Sequence, residues 1–447
     1  MRVVLLLGLL SAIPVAAQTA ADLPPADARG TVLVRGGTVL TVTRGTLENT
    51  DVLVRNGRIA EIGRGLDAPR GAEVIDATGL YVMPGIIDAH SHIALDDVNE
   101  AATPISAEVQ MQDVLDPLDV SIYRSLAGGV TTIHALHGSA NAIGGESETI
   151  KLRWGTLDPD GLVFEGAPRT IKFALGENPT RVHGRGRGTR PATRMGVEQL
   201  IREAFTEAQR YRAAQRQAER DGAPPPPYNR RHETLADVLE GRVLVHSHSY
   251  RADEILMLMR VLRDFGVERV TFQHANEAFK VAPELAAFGA GASVFADWWS
   301  YKMEVYYSTA YNAAILTRNG VRASINSDDA QLQRQLHHEA AKAQRYGGLS
   351  DDEALALITI NPAWQLGIDD RVGSIEEGKD GDLALFRGHP LSIYAICEKT
   401  LVDGVVRFDR ERDGDDMRLV VDPAAPIPDV RLYDHDEEAC LRGALTF

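Results

Sequence analysis

Between Gly30 and Ala77, apolar and polar residues alternate in short runs, TVLVRGGTVLTV and DVLVRNGRIAEIG, broken at Gly36-Gly37 and Asn56-Gly57. A period of two marks strands half-buried on one face, and Gly-Gly and Asn-Gly supply the positive φ that tight hairpin turns require. The pattern predicts a small antiparallel sheet. From Pro84 to about Ala363 the texture changes to short apolar runs, TTIHAL, TIKFAL, RVLVHSH, RVTFQH and RASINSD, separated by helical stretches such as Asp253 to Phe265 and Ala282 to Phe288. Strands alternating with helices predict a parallel α/β sheet, and this many units predict a closed (β/α)8 barrel. After Asn361-Pro362 the hairpin texture returns in RVGSIEEGKDGDLALFRG and KTLVDGVVRFDRER, with Asp380-Gly381 and Asp403-Gly404 as turns. The two terminal regions are expected to pair as one small β-sandwich. Residues 18–83 and 364–412 would supply its halves, 84–363 the barrel and 413–447 a C-terminal tail.

One stretch fits neither texture. After TIKFALGENP comes a Gly/Arg-rich run, RVHGRGRGTRPATR, then a charged helix from about Val197 to Arg220, then Pro224 to Pro227. This predicts a long insertion over about 180–232, and inserted loops of barrel enzymes often act as lids.

The chain opens MRVVLLLGLLSAIPVAAQ: one Arg, a short apolar run from Val3 to Leu10, and small residues Val15 to Ala17 before Gln18. That is the pattern of a secretory signal peptide over 1–17, cleaved after Ala17, and it predicts a periplasmic or secreted protein. No other segment reaches the length of about 18 apolar residues that a membrane span needs. The mature form is therefore expected without membrane insertion.

A chain of 447 residues, 44% hydrophobic, can bury one large core, and its net charge of −16 disfavours nucleic acid as a partner. The only two cysteines, Cys397 and Cys440, allow one optional disulfide or two free thiols.

The sharpest chemical signal is YVMPGIIDAHSHIAL, where His90 and His92 stand two apart at the end of an apolar strand with Asp88 beside them. Alternate strand residues point the same way, so both imidazoles can meet one cation. His246 closes RVLVHSH, His274 closes RVTFQH and Asp328 closes RASINSD. Each is polar and stands at the C-terminal end of an apolar run, where barrel enzymes place their catalytic groups. His248, two residues after His246, should face the same mouth and contact substrate, and His134 and His137 could line the pocket. Arg181, Arg185, Arg187, Arg190 and Arg194 follow the strand TIKFAL. From there a guanidinium, Arg181 first, could bind a substrate carboxylate, or the loop could be solvated. His183, His337 and His338 read as ordinary loop or helix residues.

PGIIDAHSH, His246, QH with His274, NSD with Asp328, and the closing segment NPAWQLGIDDRVGSIEEGKDGDLALF resemble the amidohydrolase superfamily, in its imidazolonepropionase-like and prolidase-like branch. The resemblance runs from the first hairpins to about Phe408. It implies one or two divalent metal ions, zinc the expected one, with His90 and His92 on one, His246 and His274 on the other or sharing it, and Asp328 binding metal while handling protons. In binuclear members a lysine carboxylated by carbon dioxide bridges the ions, and Lys172 in TIKFAL best fits that role. Glu177 in GENP is the alternative, and Lys151 in TIKLRWG a weaker one.

A metal that acidifies water and polarises a carbonyl suits hydrolysis of a C-N bond in an amide, short peptide or cyclic amide, with Asp328 shuttling the proton. The same site could serve a hydrolytic deaminase or a lactonase, and the barrel could be a non-catalytic binding scaffold. The expected partner is a small molecule or short peptide, and the sequence leaves a homo-oligomer open.

Overall fold

The structure, a computed structural model, describes residues 24–299 and 302–413. The leader expected over 1–17, Cys440 and nearly all of the expected tail lie outside the described residues.

Strands β1 (Val32–Leu40), β2 (Thr46–Arg55), β3 (Arg58–Gly63), β4 (Glu73–Asp76) and β5 (Leu80–Pro84) come from the N-terminal region. Strands β6 (Ile86–Ser91), β7 (Val130–Ala135), β8 (Ile143–Lys151), β9 (Arg169–Ala174), β10 (Val243–His248), β11 (Val270–Gln273), β12 (Gly291–Val294) and β13 (Arg322–Ile325) follow, then β14 (Leu383–Arg387), β15 (Ile396–Val402) and β16 (Val405–Asp409).

The two ends do pair: β14 runs antiparallel to β5, with Leu383 opposite Pro84. They form one continuous sheet in the order β16-β15-β14-β5-β1-β2-β3, with β4 on β1, where two facing sheets were expected. It encloses its own core of Val32, Val34, Val52, Val54, Val82, Leu383, Leu385 and Leu401. Asn56-Gly57 and Asp403-Gly404 make the expected hairpin turns, with φ of 50° and 78° in the first and 53° and 70° in the second. The other two expected turns are something else. Gly36-Gly37 is a bulge inside β1, where Gly36 takes a φ of 72° and its N–H donates to Asp51 Oδ1 at 2.8 Å. Asp380 bridges to Arg58 just before β14, and its carboxylate turns inward.

Strands β6 to β13 form the eight-stranded wall of a nearly closed barrel in sequence order. The two ends of that order meet where the Asp328 N–H donates to the His90 carbonyl at 3.1 Å. The wall departs from an all-parallel (β/α)8 barrel at one place: β8 runs antiparallel to both β7 and β9. The connection 136–142 is too short for the crossover of about a dozen residues that a parallel pair requires, so the chain turns straight back.

The helix Arg194–Asp221 begins within the expected insertion, yet it packs on the barrel through Val197, Leu200, Ile201, Ala204 and Phe205. The Phe205 ring lies 5.8 Å from Phe173 of β9 and 5.3 Å from Phe265. An apolar stripe at helical spacing buries this face of the helix against the outer layer of the barrel.

Sheet and barrel are joined by buried charge. Lys151 ends β8 with no exposed surface, and its Nζ lies 2.6 Å from Asp403, 2.8 Å from Asp380 and 3.0 Å from Asp382. Arg153 adds a bond to Asp403 at 2.9 Å, and Arg371 one to Asp380 at 2.7 Å. An amine held by three carboxylates at the sheet junction has no access to the barrel mouth, which removes Lys151 as a metal-bridging group.

Candidate metal centre

The expected ligands His90, His92, His274 and Asp328 lie at or just past the C-terminal end of a barrel strand, because a parallel strand delivers its last inward side chains to that face, whereas Lys172 and His246 sit further back in β9 and β10. His90 ends β6 and His92 follows it; both are buried. Their Nε2 atoms each lie 3.2 Å from Asp328 Oδ1, and His274 Nε2 lies 3.9 Å from Asp328 Oδ2. Lys172 Nζ, from the middle of β9, lies 3.1 Å from His90 Nε2. His90, His274 and Asp328 offer ligand atoms that all lie within 4.8 Å of one another. His274 and Asp328 hold positive φ of 36° and 47°, strain of the kind that concentrates at functional sites.

The histidines ending β10 separate. The His248 ring lies 4.3 Å from that of His274, at the mouth. His246 lies one inward position deeper on the strand, its ring 4.5 Å from His134 and its Nδ1 2.9 Å from Gln273 Nε2. His134 is bonded to Thr170 Oγ1 at 2.7 Å, and His137 is tied by Nδ1 to the Gly138 carbonyl and by Nε2 to the Glu100 N–H. Neither adds an arm to the cluster.

Glu177 and Arg181 lie apart from it. They pair with each other at 3.6 Å, and the Glu177 N–H donates to Glu304. Arg194 bridges Glu254 and Glu304, Arg190 pairs with Glu203, and Arg187 reaches the Ala101 carbonyl. The arginine run is thus largely neutralised by acidic neighbours.

Sequence reasoning missed an apolar wall against His274. Tyr250 stacks on its ring at 4.6 Å, Phe295 at 5.5 Å, and Trp298 stacks on Phe295 at 4.6 Å. The aromatic run after β12 was visible, but nothing in its spacing showed which ring would meet the histidine. Gln273 was also passed over, since a lone Gln beside a His has no motif value.

Burial holds the imidazoles neutral. It pushes His90, His248 and His274 well below the usual histidine range and His246 down to about 3, with the Lys172 charge adding to the effect in each. Neutral rings keep a lone pair, the form that binds metal. Burial also drives Asp88 up to about 7, against bonds from Ser327 and the His90 N–H. For Asp328 burial acts upward, but His92, His274 and Lys172 outweigh it and hold the carboxyl below its ordinary value.

The residues fit a divalent cation. Both nitrogens of His274 are buried without a hydrogen-bond partner, as is Nε2 of His248. Such atoms cost about 1–3 kcal/mol each unless something satisfies them. His92 Nδ1 donates to the Leu136 carbonyl at 2.8 Å, so the lone pair on its Nε2 faces an Asp328 oxygen. Two acceptors at that range are favourable only with a cation or proton between them.

Comparison with known proteins gives the family. The family model described as Amidohydrolase family matches residues 303–408. The crystal structure of an amidohydrolase from Thermotoga maritima MSB8 is 34% identical with a TM-score of 0.80, over 85% of this chain and 100% of that one. Amidohydrolase tasK of Hapsidospora irregularis is 34% identical over 80% of this chain, which spans 40% of that relative's length. A 5-methylthioadenosine/S-adenosylhomocysteine deaminase of Symbiobacterium thermophilum is 25% identical over 79% of this chain and 84% of its own. Identity with the Thermotoga protein along that protein's full length, together with the shared barrel, shows that the chain belongs to the amidohydrolase family.

Proposed function

We propose that the protein is a metal-dependent hydrolase of C-N bonds in a small amide, short peptide, acylated amino acid or cyclic amide. The observation that carries this reading is the convergence of His90, His274 and Asp328 within 4.8 Å at the barrel mouth, all buried. His90, His92, His274, Asp328, Lys172 and one of the two histidines ending β10 would hold one or two divalent ions, zinc by preference. A bound ion would supply Lewis acidity, acidifying water and polarising the scissile carbonyl. Lys172 would act as a carbamate formed with carbon dioxide, which turns a buried amine into an anionic ligand.

The chain's own residues do the rest. Asp328, held ionised, accepts the proton of the attacking water and returns it to the leaving nitrogen. Tyr250, Phe295 and Trp298 exclude water from the His274 side and present an apolar face to the substrate. Deamination is disfavoured because a proton-shuttling Glu would be expected just after the β10 ligand, and none follows His246 or His248, where Ser247, Ser249, Tyr250 and Arg251 stand instead. The MRVVLLLGLLSAIPVAAQ leader supports a periplasmic or secreted site of action. Hydrolysis of a panel of dipeptides and acyl amino acids by zinc-loaded protein, lost on chelation, tests the reading.

A further inference from the structure

We propose that Gln273 is a positioning residue that fixes the proton on two imidazoles at once, turning His90 toward the metal and disqualifying His246, so that His248 is the ligand from β10. The proposal rests on the metal reading above for its functional meaning; the hydrogen-bond logic stands apart from it.

The Gln273 side chain is fully buried. Its Nε2 lies 3.1 Å from the Ala89 carbonyl, which can only accept, so the NH2 group must face that way. The oxygen Oε1 therefore points at His90 Nδ1, 3.3 Å away, which must carry a hydrogen to donate. A second contact is compatible with the same proton position: Lys172 Nζ, 3.1 Å from His90 Nε2, can donate to a lone pair there. The Gln273 contact therefore makes His90 the tautomer with Nδ1–H and with Nε2 open toward Asp328.

The remaining hydrogen of the Gln273 NH2 group points at His246 Nδ1, 2.9 Å away. That nitrogen must accept, so the proton of neutral His246 sits on Nε2. A neutral imidazole has one lone pair, and Gln273 consumes it. His246 is left with none for a cation. The Nε2 atoms of both histidines are buried without a partner, but only His248 lies beside His274 and keeps its lone pair clear of Gln273. Partners that orient metal-binding histidines typically matter 10–100-fold in metal affinity. Gln273 differs from the usual carboxylate or carbonyl partner in both accepting and donating, so one side chain can select one histidine and reject another.

Nitrogen-15 NMR of the metal-free protein, with histidine signals assigned by His90→Gln and His246→Asn, reads the tautomers directly. His90 should be protonated on Nδ1 and His246 on Nε2; a His246 protonated on Nδ1 overturns the proposal. Zinc affinity, measured by competition with a chromogenic chelator, gives the second readout. His246→Asn should bind zinc within about tenfold of wild type, while His248→Asn should lose roughly a hundredfold or more. Equal losses in the two variants overturn it. Gln273→Met should weaken zinc binding by about 10–100-fold, and Gln273→Glu, which keeps an acceptor for His90, should recover most of that loss. A Glu variant no better than the Met variant contradicts the positioning role. Failure of wild-type protein to bind zinc would instead refute the metal reading, and the tautomer spectra would still decide the hydrogen-bond assignment.

Discussion

Two lysines sit in the same local pattern, Ile150-Lys151 and Ile171-Lys172, and both are buried, yet the structure gives them opposite tasks. Lys151→Met removes the one amine that three buried aspartates share at 2.6 to 3.0 Å. Taking one partner from a buried ion pair costs about 3–5 kcal/mol, since the other charges stay uncompensated. Arg153 and Arg371 remain on Asp403 and Asp380, whereas Asp382 has no ion-pair partner besides Lys151 among the described residues, so the lower part of that range applies to the triad. A loss of about 3 kcal/mol corresponds to a fall in Tm of about 3 °C for a chain of this size.

The deficit should also depend on pH. Burial already holds Asp382 up to about 6 against the pull of Lys151, and without that amine it must rise further. A carboxyl whose folded value lies above its unfolded value binds more protons when folded, so its contribution to stability falls as pH rises through that window. The variant should therefore be closest to wild type near pH 5 and furthest from it above pH 7. Zinc content and turnover per folded molecule should persist. Lys172→Met should do the reverse, keeping Tm within about 1 °C while zinc affinity drops by roughly a hundredfold or more. Calorimetry and metal analysis on both variants check this, and loss of zinc in Lys151→Met with an unchanged Tm would refute the assignment.

Other consequences follow from the same geometry. Asp328→Asn should lower kcat by about 10²–10⁴-fold with the fold intact by circular dichroism, as expected for loss of a proton shuttle. Phe295→Ala opens space beside a ring that is 3% exposed and stacked on His274, and should cost about 3 kcal/mol in urea denaturation. Burial and the neighbouring charge of Glu304 push Glu254 up to about 7, so its ionisation opposes folding as pH rises from about 4.5 to 7. Glu254→Gln should consequently gain on wild type in Tm between pH 5 and pH 8, and a constant difference would contradict that. If the leader is cleaved on export, protein recovered from the periplasm or medium should begin at Gln18 by N-terminal sequencing.

The barrel strands, and the convergence of His90, His274 and Asp328, were legible because each rests on local pattern: apolar runs with a polar residue at the end, and hairpins with Asn-Gly or Asp-Gly between alternating strands. What stayed hidden depended on tertiary partners. The reversed direction of β8 follows from a short connection that looks like any other loop until β7 and β9 are in place. Gly36-Gly37 resembles a turn, and only the pairing of both halves of β1 with β2 shows it to be a bulge. The helix Arg194–Asp221 is charged enough to pass for a solvated insertion, and Phe173 and Phe265 reveal which face it buries. At the site, His246 and His248 share one strand face and differ by one step in depth, which spacing alone cannot rank.

Metal analysis paired with activity on one preparation tests the central claim most directly. Purified protein should carry one or two divalent ions per chain, lose C-N bond hydrolysis when a chelator strips them, and regain it on addition of zinc. Full hydrolysis by protein shown to be free of metal would contradict the account.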